Sequence, residues 1–288
     1  MSVTIEEYQR FELKILHAFK EVCDEHGLRW WAMFGSLLGA ARHKGFIPWD
    51  DDIDVVMPPE DYLRFREVMS RQPPEGYYVE CHAKSVGSMI PWQVMGVTQS
   101  MSLPRRYADA PAAWGVCMDI FPLINCPSPE DLQGMKAITK QIRRSRALVD
   151  KYDYRYEGRR TGGARGLYLK LMGGYPDALN ERLWQRMERR MLEGKAYEGS
   201  GYKAVFDIPN DFMPLPAECF SETTYLPFED LIVPVPVGYE QLLDLLYACY
   251  GVDWRIIPEH GYDPRHSGGG NDEVMVSLTE SYVDHMEL

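Results

Sequence analysis

The chain has 288 residues, 45% hydrophobic and 26% charged, the balance of a globular protein whose core needs no covalent staple. A formal net charge of -12 leaves no basic footprint for a phosphate backbone, which excludes general nucleic-acid binding; a small anionic substrate then needs a local positive pocket or bound cations. The 6 cysteines include no C-x-x-C pair and read as buried thiols of a reducing cytoplasm. The opening, MSVTIEEYQRFELK, is no signal peptide, and no stretch approaches the ~20 apolar residues of a spanning helix. The expected location is cytoplasmic, with peripheral contact with a membrane surface left open.

A helix comes first. Thr4 and Glu7 have capping-box spacing, and Phe11, Leu13, Ile15, Leu16 and Phe19 approximate one apolar stripe that ends near Gly27. Residues 28–34, LRWWAMF, read as a buried strand. Gly35 and Ser36 turn the chain into a short helix over 36–43. A loop holding Gly45 and Pro48 leads to a second strand at 52–57, which Pro58 and Pro59 stop. An amphipathic helix follows. Further strands are expected at 77–83, 92–98 and 115–123. From 129 to about 196 the chain turns helical and rich in Arg and Lys, which suits solvated faces. Strands and turns return from 200, with a helix near 238–250. The GGGN cluster at 268–271 reads as a loop.

Chemistry concentrates in residues 35–57, GSLLGAARHKGFIPWDDDIDVVM. Asp50, Asp51, Asp52 and Asp54 gather at the start of an apolar strand. Alternate strand residues share a face, so Asp52 and Asp54 should point the same way, about 7 Å apart at Cα. Two such carboxylates repel, and a hard divalent ion, Mg2+ or Mn2+, would reconcile them. The other reading makes DDDID a solvated turn capping the strand. The neighbours favour the metal. Gly35 lets a phosphate approach the backbone, and Ser36 and the helix N-terminus can donate to it. A phosphate site beside a metal site is what phosphoryl or nucleotidyl transfer requires.

The pattern G-S-x-L-G-x-x-R-x-x-G-F-I-P-W-D-D-D-I-D resembles the LicD-type phosphotransferases, relatives of the fukutin group within the nucleotidyltransferase superfamily. M-D-I-F-P-L at 118–123, L-P-F-E-D at 226–230, V-P-V-P at 233–236 and Y-G-V-D-W at 250–254 extend the resemblance to both ends of the chain; 127–200 matches only in being helical. The resemblance implies that Gly35 and Ser36 form the superfamily's turn, that Asp52 and Asp54 are its metal pair, and that Asp119 is its third carboxylate. The other reading of Asp119 is a strand-end aspartate bonded to backbone amides. Arg42 can reach a phosphate or pair with an aspartate. His43 suits either the site or a helix C-terminus, and Trp49 either walls the site or stacks on a base or sugar.

The fold expected is mixed α/β (α+β): a nucleotidyltransferase-like twisted sheet with flanking helices and a helical insertion. The chain reads as one catalytic domain over 1–288, with a core at 1–126, the insertion at 127–200 and a completing region at 201–288. The resemblance implies transfer of a phosphorylated small alcohol, phosphocholine first, from a CDP-linked donor such as CDP-choline to a hydroxyl of a glycan or lipid-linked saccharide, with release of CMP. A nucleotidyltransferase releasing pyrophosphate and a non-catalytic glycan- or nucleotide-binding protein are the alternatives.

Overall fold

The structure, a computed structural model, describes residues 3–81, 92–104, 113–140, 197–206, 213–248, 253–257 and 274–285, with the isolated positions 182, 185, 186, 188, 189 and 192. Helix α1 (Ile5–His26) opens the fold on the expected capping box. The Glu7 amide donates to the Thr4 hydroxyl (3.2 Å), and the Thr4 amide donates to the Glu7 carboxylate (3.0 Å). Gly27 ends the helix at φ 62°, a left-handed conformation open to a residue without Cβ. The helix buries Ile15, Leu16, Phe19, Val22 and Cys23, and, less expectedly, Glu12.

The expected strand at 28–34 is shorter. Only β1 (Trp31–Ala32) pairs, because Phe34, at φ 49°, turns the chain into α2 (Phe34–Leu38). Gly35 therefore lies inside the helix with Ser36 rather than before it. A left-handed phenylalanine costs of order 1–3 kcal/mol, and packing must hold it there; its ring meets that of Phe121 edge-on at 5.9 Å. The helix widens into a π-turn over Gly39–His43. Strand β2 (Asp54–Met57) is buried throughout. It begins at Asp54, so Asp52 stands before the strand and the alternation rule does not fix its direction. Pro58 and Pro59 then act as expected. Pro59 sits in the first turn of α3 (Pro59–Arg71), which buries Tyr62, Phe65 and Met69 at helical spacing.

The remaining elements are β3 (Tyr77–Glu80), β4 (Gln93–Val97), β5 (Met101–Pro104), β6 (Cys117–Asn125), β7 (Tyr202–Val205), β8 (Leu215–Pro216), β9 (Thr223–Phe228), β10 (Leu231–Pro236), α4 (Tyr239–Ala248) and β11 (Val274–Ser277). The main sheet runs in the order β1-β2-β6-β4-β3, with β7 on the second half of β6 and β8 on β7. Among the described strands only β2 and β6 are parallel in it; β9 with β10 and β5 with β11 form separate antiparallel pairs. The mixed α+β class expected from the sequence is the one observed.

One apolar core joins α1, the main sheet, α4 and Trp254. Helices α1 and α3 meet through Phe19 and Phe65, with ring centres 5.1 Å apart. Most of the segment expected as a helical insertion lies outside the described residues; 132–140 is helical, as are the isolated positions between 182 and 192. The GGGN cluster at 268–271 also lies outside.

Candidate active site

Two strands set the acidic residues. Parallel pairing places Asp54 of β2 opposite Asp119 of β6, and the Asp119 amide donates to the Ile53 carbonyl at 2.8 Å. Asp54 is 9% exposed; its own amide donates to Ser36 Oγ at 2.9 Å, which ties α2 to the head of β2. Asp119 is half-buried, and its Oδ1 accepts from Trp92 Nε1 at 2.6 Å. The Trp92 ring rests on Phe121, 5.0 Å between centres.

Asp52 precedes the strand with an exposed side chain. Its carboxyl is nevertheless pushed up to about 8, first by burial among surrounding protein and then by the charges of Asp50 and Asp119. The mutual repulsion of the acids is the firmer of the two causes, because solvent reaches the group.

The loop before Asp52 is held from three sides. A Cβ on Gly35 would come within 2.4 Å of Asp50 Oδ2, so the aspartate fills the space beside that glycine. Gln9 of α1 donates its side-chain amide to the carbonyls of Ile47 (3.1 Å) and Asp50 (2.7 Å). At the β9–β10 turn, Glu229 accepts from the Phe46 amide at 3.0 Å and gives its own amide to the Lys44 carbonyl at 2.8 Å. Gly45 leaves room for that carboxylate: a Cβ there would lie 2.1 Å from Glu229 Oε1.

Arg42 turns towards the C-terminal segment. It donates to the carbonyls of Trp254 (2.9 Å) and Ile256 (3.3 Å), and its Nε donates to His43 Nε2 at 2.9 Å. Burial and the Arg42 charge push the His43 imidazole down, which keeps it neutral and able to accept. The rings of His43 and Trp49 meet edge-on, 6.2 Å apart. The structure thus gathers Gly35, Ser36, Asp52, Asp54 and Asp119 around the strand heads, and Arg42, His43 and Trp49 beside the incoming loop.

Residues 27–103 match the family model of the LicD/FKTN/FKRP nucleotidyltransferase domain. It is residues 27–103 that are similar to a LicD-family domain. Over 266 residues the chain is 26% identical to the lipopolysaccharide cholinephosphotransferase LicD of Haemophilus influenzae, an alignment spanning 92% of this chain and 96% of that protein. The human ribitol 5-phosphate transferase FKRP is 52% identical over 40 residues, 14% of this chain and 8% of that one. An uncharacterized protein of Rickettsia typhi is 33% identical over 82 residues, 26% of each chain.

Two features of the site escape the motif reading. Gln9 holds the acidic loop, and Glu12, one turn on along α1, is buried and feels the charges of its aspartates, although the helix reads as an ordinary amphipathic one. The available signal was Glu12 itself, an acid three residues ahead of Ile15 on the buried stripe. Glu229 was inside a recognised motif, but only the fold shows that it clasps the loop at Gly45.

The donor set suits a hard cation in kind: Asp52, Asp54 and Asp119 offer carboxylate oxygens at the heads of adjacent strands, and an ion among them would relieve the repulsion that raises Asp52. As placed, no three potential metal-ligating side chains among the described residues enclose an ion. A separate cavity of about 1130 Å³ opens at the far ends of β2 and β6, between Pro58, Arg66, Asn125, Lys203 and Phe220; none of the expected site residues lines it. No helix among the described residues is long and apolar enough to cross a membrane.

Proposed function

We propose that the chain is a cation-dependent phosphotransferase, which moves phosphocholine or a close relative from a CDP-linked donor to a hydroxyl of a glycan or lipid-linked saccharide and releases CMP. The observation that carries the reading is the pairing of Asp54 with Asp119, with the crowded Asp52 beside them. The likeness to a cholinephosphotransferase along 92% of the chain supports the reaction class. Asp52, Asp54 and Asp119 would hold Mg2+ or Mn2+, which supplies neutralisation of the donor diphosphate.

The chain's own groups account for the remaining work. Ser36 accepts from Asp54 and still has its hydroxyl proton to donate to a phosphate oxygen. Arg42 adds positive charge beside the loop, and Gly35, His43 and Trp49 complete the wall of the donor site. The acceptor oxygen forms a new bond to the phosphorus bearing the small alcohol. The bridging P–O bond breaks, and its electron pair leaves with CMP. The hydroxyl proton passes to a carboxylate, for which we assign Asp119. The reading places the chain in the cytoplasm, with membrane contact only through a lipid-linked acceptor.

The test is incubation with a panel of CDP-alcohols, with and without Mg2+, and with CMP as the readout. Mg2+-dependent CMP release is expected. Pyrophosphate release from a nucleoside triphosphate would instead assign a nucleotidyltransferase, and binding without any turnover a non-catalytic protein.

A further inference from the structure

Glu12 is 1% exposed, and its Oε2 has no hydrogen-bond partner. A carboxyl buried in this way is costly, and an apolar side chain there would simply continue the stripe of Ile15 and Phe19. The location explains the acid. Gln9, three residues earlier, shares its helix face and reaches the Asp50 carbonyl at 2.7 Å, so the aspartate loop lies against this face about one turn from Glu12. Burial first, and then the charges of Asp52, Asp51, Asp119 and Asp50, hold the Glu12 carboxyl well above the usual range.

We propose that Glu12 is a further carboxylate of the cation-binding group, turning Oε2 towards the ion directly or through one water. This rests on the divalent-cation reading above. The carboxylates as placed do not enclose an ion, and Glu12 has the rotatable side chain with which to close on one. The bland alternative is a permanently neutral acid that merely fills the core.

The experiment is calorimetric titration of Mn2+ into the full chain, its Glu12→Gln variant and its Asp52→Asn variant, with melting curves for each. Glu12→Gln should weaken Mn2+ binding by about 10–100-fold, the range seen when groups supporting a metal site are lost. It should melt no lower than wild type without cation, and gain less from Mn2+. If Glu12→Gln binds Mn2+ like wild type while Asp52→Asn does not, the cation site stands and the role of Glu12 is overturned. If the wild-type chain binds no Mn2+, the cation reading fails and this inference with it. Should Glu12→Gln not fold, Glu12→Met is the second variant; loss of fold in both makes Glu12 a core residue only and overturns the proposal.

Discussion

Asp54 and Asp119 occupy partner positions on the two parallel strands of the main sheet. Neighbouring strands lie about 4.8 Å apart, so in-register pairing brings two distant parts of the chain within reach of one ion. Ser36 and Trp92 then fix the surroundings, one at the Asp54 amide and one at the Asp119 carboxylate. Asp54→Asn and Asp119→Asn each keep shape and remove charge. Each should lower turnover by at least about 100-fold while the melting temperature holds. Near wild-type turnover in either would remove that residue from the reacting group, and a lowered melting temperature alone would return Asp119 to a structural part.

The crowding of the acids makes stability depend on pH in an unusual direction. Asp52 is raised from an ordinary aspartate value to about 8. The folded state therefore holds a proton that the unfolded chain releases near pH 4, and stability falls as pH rises from about 4 through about 8. Glu12 shifts in the same direction. Without cation, the melting temperature should decline between pH 5 and pH 8; Mg2+ should flatten the decline. A cation-free melting temperature that rises across this window would mean that the carboxylates do not repel one another as the fold implies.

Local signals were legible and long-range ones less so. The capping box at Thr4 and Glu7, the prolines at 58 and 59 and the buried run of β2 act within a few residues, and each forms as the sequence implies. The strand at 28–34 shrank because its length depends on a partner and on the turn at Phe34, which no local pattern announces. The same holds in the site. The D-x-D spacing is written in adjacent positions, whereas the Asp54–Asp119 pairing comes from strand order. Arg42 reads as a phosphate ligand because of its motif; only the folded chain brings the carbonyls of Trp254 and Ile256 to it.

Trp92 offers a test of positioning without touching an acid. Its indole donates to Asp119 at 2.6 Å while its ring packs on Phe121. Trp92→Phe keeps an aromatic ring and deletes the donor. A hydrogen bond to a charged group is worth about 1.5–3 kcal/mol, so turnover should fall by about tenfold or more, with a shift in the pH profile as Asp119 loses its partner. Unchanged turnover and an unchanged pH profile would show that Asp119 needs no orientation from this side.

The donor's head group is decided by which aromatic face remains for it. A quaternary ammonium is best held over such a face, at roughly 0.5–2 kcal/mol per contact. Trp30 and Trp31 are core residues, 4% and 5% exposed, and Trp31 also donates to Thr223. Trp92 gives its N–H to Asp119 and rests on Phe121. Trp49 is half-buried at the acidic loop, beside His43, and is a described tryptophan that stands next to the proposed donor site. CDP-choline should therefore bind more tightly than CDP-ribitol or CDP-glycerol in a competition assay. Trp49→Ala should erase most of that preference while leaving the polyol donors nearly unaffected. Equal affinity for all three donors in the wild-type chain would mean that no cation-selective pocket exists, and would move the protein to polyol phosphate transfer.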